Sequence, residues 1–306
     1  MKSLSLFVSN AVKYRTLVIM CIPAVVFFFL FSYAPMPGVY VAFTKFNYAD
    51  GIFGSPFIGL ENFRFLFISG QLGLLLKNTV LYNLVFIAVG NVTAMAVAIL
   101  LNEVRLKWFR KVSQSILFLP YFISDVLVAL IVYNLINYDF GFVSNFVRGI
   151  GGEMPKIYSL PGAWPFVITL VYIWKTTGYS SVVYFAAIMG IGSEITEAAE
   201  IDGANAFQRI RRITLPCLKP TFIILLLFAL GGIIRGNFSL FYNLVGNNSM
   251  LFNTTDIIET FVYRSMLNNF NFSQSSAVGL FQSVVGFAIV LIVNAVIKKI
   301  EPSVFH

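Results

Sequence analysis

The sequence predicts an all-α integral membrane protein with six transmembrane helices. Three observations carry this. Of the 306 residues, 58% are hydrophobic and only 11% are charged, whereas soluble domains average about one quarter charged. Mean hydropathy is +0.83. Six stretches reach the ~20 apolar residues that a spanning helix needs, at roughly 16–40, 79–101, 115–136, 165–189, 219–241 and 276–297.

Taken in order, residues 1–15 carry Lys2, Lys13 and Arg15 ahead of the apolar run Leu17 to Tyr33. This resembles the charged start of a signal peptide. No small-x-small cleavage site precedes the turn Pro35-Met36-Pro37-Gly38, so a retained first span is expected. The second stretch presents Gly90, Ala94 and Ala98 at four-residue spacing, a small-residue face suited to close helix packing. Pro23 in the first stretch and Pro120 in the third mark places where a helix bends or ends. Turn chemistry at Asp50-Gly51, Gly151-Gly152 and Gly246-Asn247-Asn248 separates the stretches. The expected layout is a transmembrane unit over 16–298, containing a polar loop at 190–218, with a cytoplasmic segment before it and a cytoplasmic tail at 299–306. Cys21 and Cys217 lie far apart with no disulfide or metal-ligand spacing, and both are expected only to pack.

Orientation follows from Lys and Arg in alternate loops. One side collects the N-terminus, the loop with Arg105, Lys107, Arg110 and Lys111, the loop with Arg209, Arg211, Arg212 and Lys219, and Lys298 with Lys299. The other side holds Lys45, Arg64, Lys77, Arg148, Lys156 and Arg264, about half as many. Both termini and the polar loop are therefore expected in the cytoplasm. The net charge of +8 reads as membrane orientation, not as a nucleic-acid footprint. Outer loops such as "NYADGIFGSPFIGLENFRFLF" are aromatic and weakly charged. They suit either the lipid interface or an external partner.

The most polar stretch is "EAAEIDGANAFQRIRRITLP", from Glu197 to Pro216. Flanked by apolar runs and rich in charge, it cannot lie in lipid. Ser193 is placed to cap a helix through Ile201, Asp202-Gly203 is a turn dipeptide, and a second helix is predicted from Ala204 towards Leu215. At about 100° per residue, Ala206, Phe207, Ile210, Ile213 and Thr214 share one arc while Gln208, Arg209, Arg211 and Arg212 occupy the other. An interfacial helix under the membrane would share that pattern.

The order of residues is more specific. Glu197-Ala198-Ala199, then Gly203, then nine residues, then Ile213-x-Leu215-Pro216 reproduces the EAA-x3-G-x9-I-x-L-P signature of binding-protein-dependent ABC importer permeases. With "VYIWKTTGYSSVVYFAAI", "FSLFYNLVG", "TTDIIETFVYR" and "SSAVGLFQSVVGFAIVLIVN", the chain resembles the maltose-permease superfamily, and within it the LplB-type polysaccharide permeases. The resemblance implies a type I importer half-channel with a cytoplasmic coupling helix in the EAA loop. It implies as partners a second related permease, two cytoplasmic ATPase subunits, an extracellular solute-binding protein, an oligosaccharide substrate and membrane lipid. Carried over from the motif, Glu197, Ala198, Ala199, Asp202, Gly203, Phe207, Leu215 and Pro216 are the ATPase-coupling residues.

No Walker A pattern occurs, so no cofactor is expected in this chain and ATP-Mg belongs to the partner ATPase. The only histidine is His306, and no hydrolase motif is present, so a catalytic site is not expected. Asp125, Lys175 and Arg235 fall within predicted spans. Each costs about 2.5–3.5 kcal/mol at a helix centre, so each should face the bundle or water. A straight third span would put Asp125 near the midplane. Two uses stand open: Asp125 and Lys175 neutralise one another or pair with a second subunit, or these charges line a substrate path. The rival function is an ion-coupled secondary transporter using Asp125.

Overall fold

The structure is a computed structural model that describes residues 13–300; Lys2, His306 and most of the two terminal segments lie outside the described residues. Among those described there is no strand, only one antiparallel bridge between Thr44 and Phe57. Four helices are individually long and apolar enough to cross a membrane, and six spans result when each of two bent helix pairs counts as one.

Helix α1 (Arg15–Phe28) runs through Pro23 and continues as a π-helical turn, Phe29–Tyr33. Every residue from Lys13 to Pro37 is exposed, so this span stands off the rest of the chain. The 3-10 segment Met36–Phe43 then returns to the body. Helix α2 (Gln71–Glu103) starts after Gly70, whose φ of +67° needs the freedom of glycine. Helix α3 (Lys107–Phe122) and helix α4 (Asp125–Ile136) follow, bent by 98° at Ile123-Ser124. The third predicted span is thus broken. Pro120 cannot donate to the ladder and Ser124 opens a new helix, its hydroxyl accepting from the Leu127 amide at 3.4 Å. Position along a straight span therefore does not give the depth of Asp125.

Helix α5 (Trp164–Met189) packs along α2 in the most extensive helix contact of the chain. Ala94 and Ala98 are fully buried in this seam with Tyr184, Ile188 and Leu218, as the small-residue spacing predicts; Gly90 is only half-buried. Gly178 brings α5 against the backbone of α3 so closely that a β-carbon would overlap the Leu117 carbonyl. After a 72° bend comes helix α6 (Ser193–Ile201). Its N-cap is Gly192, and Ser193 makes no capping bond, so the cap expected of Ser193 is not formed.

The second helix of the polar loop is not separate from the membrane. Ala206–Arg209 passes through a π-helical turn, Ile210–Thr214, straight into helix α7 (Leu215–Gly231). Pro216 closely follows the π-turn, so its missing amide removes one bond from an otherwise continuous ladder at that turn. The fifth span ends ten residues earlier than hydropathy suggests: the chain unwinds at Gly232 and resumes as helix α8 (Phe238–Val245). Helix α9 (Ile258–Leu267) and helix α10 (Phe272–Ile300) complete the bundle. Tyr82, Phe86, Trp164, Ile168 and Phe241 anchor the central core. Cys21 and Cys217 are free and exposed, so neither packs as expected.

Candidate functional site

The polar loop is built from two interlocking caps. The Gly203 amide donates to Glu200 O at 3.0 Å and the Ala204 amide to Ala199 O at 2.9 Å, with Gly203 at φ +78°. This is a Schellman ending in which Ala199 is the third residue from the helix end and Gly203 the left-handed position. The four-residue spacing from Ala199 to Gly203 is therefore the spacing of the cap itself. Two residues on, Asn205 accepts from the Gln208 amide at 2.9 Å while the Gln208 side chain accepts from the Asn205 amide at 2.9 Å. That reciprocal box starts the next helix.

Glu197, Ala198, Asp202, Phe207, Leu215 and Pro216 are exposed, and Ala199 is half-buried. Ile201 is 87% exposed and Phe207 68%, two large apolar side chains flanking the break. Ile201 was invisible to the motif, as was its neighbour Ile195, also exposed. The arc predicted for the second helix fails at three positions, Ala206, Phe207 and Arg209; Ala206 is exposed. Phe207 faces out, while Arg209 turns in, its side chain 17% exposed, to meet Glu200 at 3.0 Å and Glu103 at 3.3 Å. The π-turn and a carboxylate 106 residues away are beyond any local pattern. Behind this loop lies a cavity of about 580 Å³ lined by Glu103, Ser193, Thr196, Glu197, Glu200 and Arg209 among others.

Within the bundle, the Lys175 ammonium donates to Asp125 Oδ1, joining α5 to the start of α4. Both side chains are 15% exposed. Tyr121 and Tyr179 stack nearby in sequence at 4.3 Å between ring centroids. A separate cavity of about 210 Å³ between α2, α5 and α7 is lined by Phe86, Gly90, Asn91, Tyr172, Tyr179 and Ser180, among others.

Arg235 is not part of that pair. It sits in the unwound segment between α7 and α8, exposed, and forms no ion pair among the described residues. Unwinding frees backbone groups that need other partners where they are shielded from water, and three side chains supply them. Asn83 donates to Ile233 O at 2.7 Å and Arg235 O at 3.0 Å. Gln282 donates to Ile234 O at 2.6 Å and to Glu259 Oε1 at 2.7 Å, and Glu259 Oε1 accepts the Gly236 amide at 2.7 Å. The other carboxylate oxygen, Glu259 Oε2, is buried with no hydrogen-bond partner. Arg235 opens onto a cleft of about 520 Å³ shared with Gln282, Ser283, Gly286 and Phe287.

Comparison with known proteins adds the following. Residues 90–306 match the family described as binding-protein-dependent transport system inner membrane component. The chain is 34% identical over 290 residues to the polygalacturonan/rhamnogalacturonan transport system permease protein YteP of Bacillus subtilis (strain 168), covering 94% of this chain and 89% of that protein. It is 31% identical to protein LplB of the same organism, covering 94% and 90%. Among solved structures, a chain of a bacterial ABC transporter involved in the import of the acidic polysaccharide alginate superposes with a TM-score of 0.87 at 33% identity, covering 96% of this chain and 99% of that one. A second, from the alginate transporter in complex with an alginate pentasaccharide-bound periplasmic protein, gives a TM-score of 0.85 at 33% identity over 95% and 97%.

Proposed function

The chain belongs to the binding-protein-dependent transport system inner membrane components, and from that membership we propose that it forms one half of the channel of an importer that takes up acidic oligosaccharides at the expense of ATP. It is a sugar ABC transport permease, a transport subunit. The finer reading assigns a second, related permease as the other half-channel, two cytoplasmic ATPase subunits that bind ATP-Mg, and an extracellular binding protein that delivers the sugar. Helix α6 then lies in the cytoplasm, and both termini with it. The membrane concerned is the bacterial cytoplasmic membrane.

The observation that carries the coupling role is the shape of α6. A nine-residue helix lies outside the bundle, bent 72° from α5 and closed by the Gly203 cap. Glu197 and Ala198 are open to a partner, and Ile201 and Phe207 stand exposed beside them. Buried apolar area drives such docking at about 25 cal/mol per Å², and Glu197 adds a charge-assisted contact to a basic group. Closure of the ATPase pair would then move α6 and, through it, the spans.

For the substrate, the geometry favours an anionic sugar. Arg235 offers a cleft-facing guanidinium without an internal counter-ion among the described residues, and carboxylates are its natural partners. Lys175 and Asp125 are already satisfied by one another, so we assign them to holding α4 on α5 at the edge of the path. The same pairing occupies Asp125, the carboxylate on which the ion-coupled alternative is based. The test is reconstitution in proteoliposomes with both permeases, the ATPases and the binding protein, using a galacturonate pentasaccharide. ATP-dependent uptake is expected, and is expected to collapse in Gly203→Leu and Glu197→Lys. Normal uptake and assembly in both variants would refute the coupling role of α6. Uptake without a second permease would refute the two-permease channel.

A further inference from the structure

Helix α6 has a mechanical difficulty. Its N-terminal junction is Gly190-Ile191-Gly192 and its C-terminal junction is Asp202-Gly203-Ala204. Both joints contain glycine and are held within themselves by backbone hydrogen bonds, and the glycines have no side chain to resist bending under load. None of its own residues is buried, so apolar packing does not clamp it.

One side chain spans the gap. The Arg209 guanidinium contacts Glu200 Oε1 at 3.0 Å through Nη1 and Glu103 Oε2 at 3.3 Å through Nη2, and Nη1 also reaches Ala204 O at 3.5 Å. Glu200 is in the last turn of α6 and Glu103 is the final residue of α2. Ala204 lies in the break itself, and Arg209 rides on the helix that becomes α7. Three segments therefore meet on one planar, pre-organised fork, whose separated nitrogens a compact ammonium does not reproduce. Upstream of Glu103, α2 is itself packed on α5 through the fully buried Ala94, Ala98 and Tyr184.

We propose that Arg209 is a positioning residue that locks α6 to the ends of α2 and α7, so that displacement of α6 by the ATPase is delivered to the α2–α5 pair instead of being lost at the two glycine joints. This rests on the reading of α6 as the coupling helix. Arg209 touches neither sugar nor ATP. Its loss leaves the docking surface in place and removes its stiffness.

The assay uses the full complex in nanodiscs, with a spin label at Glu194→Cys in a C21S/C217S background, and in parallel ATP hydrolysed per galacturonate pentasaccharide taken up. In R209A, label mobility rises and ATP per sugar rises about tenfold, within the usual 5–150-fold range of site-to-site coupling, while assembly and basal hydrolysis hold. R209K, which keeps the charge and loses the fork, falls between R209A and wild type. The charge-reversed set E103R/E200R/R209E moves back towards wild type, which a merely structural role for the arginine would not produce. R211A, at an exposed neighbour, behaves as wild type. Should R209A fail to assemble, E103A carries the test with about threefold more ATP per sugar, the size of a single partly exposed ion pair. Unchanged label mobility and unchanged ATP per sugar in R209A, or in E103A where that variant stands in, overturn the lock. If G203L and E197K are also neutral, the coupling-helix reading has failed instead.

Discussion

Neutralising Asp125, Lys175, or both together should separate a structural ion pair from a transport site. In the structure the two side chains are 15% exposed and their ion pair links α4 to α5. Taking away one partner strands a charge in a low-dielectric setting, a loss of about 3–5 kcal/mol, in line with the roughly 2.5–3.5 kcal/mol that insertion scales assign to one lone charge. Removing both leaves two neutral side chains that pack, and such replacements are commonly neutral or better. For D125N and K175M the expected loss is therefore about 3–5 kcal/mol each, and for the double variant about 1 kcal/mol or less. Thermal unfolding in detergent micelles, followed by tryptophan fluorescence, should show each single variant lower by on the order of 10 °C and the double variant close to wild type. The coupling energy of the cycle is then several kcal/mol. Additive losses, with the double variant lowest, would refute the argument.

Three further outcomes follow from other positions. Gly178→Ala forces a β-carbon onto the Leu117 backbone, which cannot yield as a flexible side chain does. The loss should be about 1–3 kcal/mol, and an unfolding midpoint equal to wild type would show that α3 and α5 separate freely. Arg235→Gln should lower uptake of a galacturonate pentasaccharide about tenfold, roughly the worth of one charge-assisted contact, and change uptake of a neutral maltopentaose little; equal effects on both would remove Arg235 from carboxylate recognition. In the loop before α5, burial, reinforced by Tyr133, pushes the Tyr158 phenol up to about 12. The folded state holds this proton more tightly than the unfolded chain, so the stabilisation is complete below the ordinary tyrosine value near 10 and is lost as pH rises through about 12. Y158F should flatten that alkaline slope, and an unchanged slope would contradict it.

Hydropathy reached the four long apolar helices and both bent pairs, because the need for ~20 apolar residues acts on composition alone. Direction is another matter. Pro120 marked a place where the third stretch could bend or end, and the break falls just after it at Ile123-Ser124, but its 98° angle is set by tertiary packing that no local pattern carries. The end of the fifth span had a local signal, Gly231, Gly232 and Gly236 within six positions, but their neighbours are apolar enough to carry a hydropathy window past them. The motif loop was legible because its spacing is that of a helix cap, a local device. The inward turn of Arg209 was not, since it depends on Glu103 from a distant helix. The clasp of Asn83, Gln282 and Glu259 was equally hidden, its members scattered over three segments.

That clasp has an evolutionary consequence. Three helices share the job of satisfying one interrupted backbone, so a change in any one residue exposes groups that the other two cannot reach. A buried amide or carbonyl left unmet costs about 1–3 kcal/mol, as much as a typical destabilising substitution. Drift at Asn83, Gly236, Glu259 or Gln282 should therefore proceed by paired replacement or not at all. Phe287 and Ser283, on the same cleft but bonded to none of the unwound backbone, are free to vary one at a time. On the proposed reading of this cleft as part of the sugar path, new specificity should accumulate on its wall while its frame stays fixed.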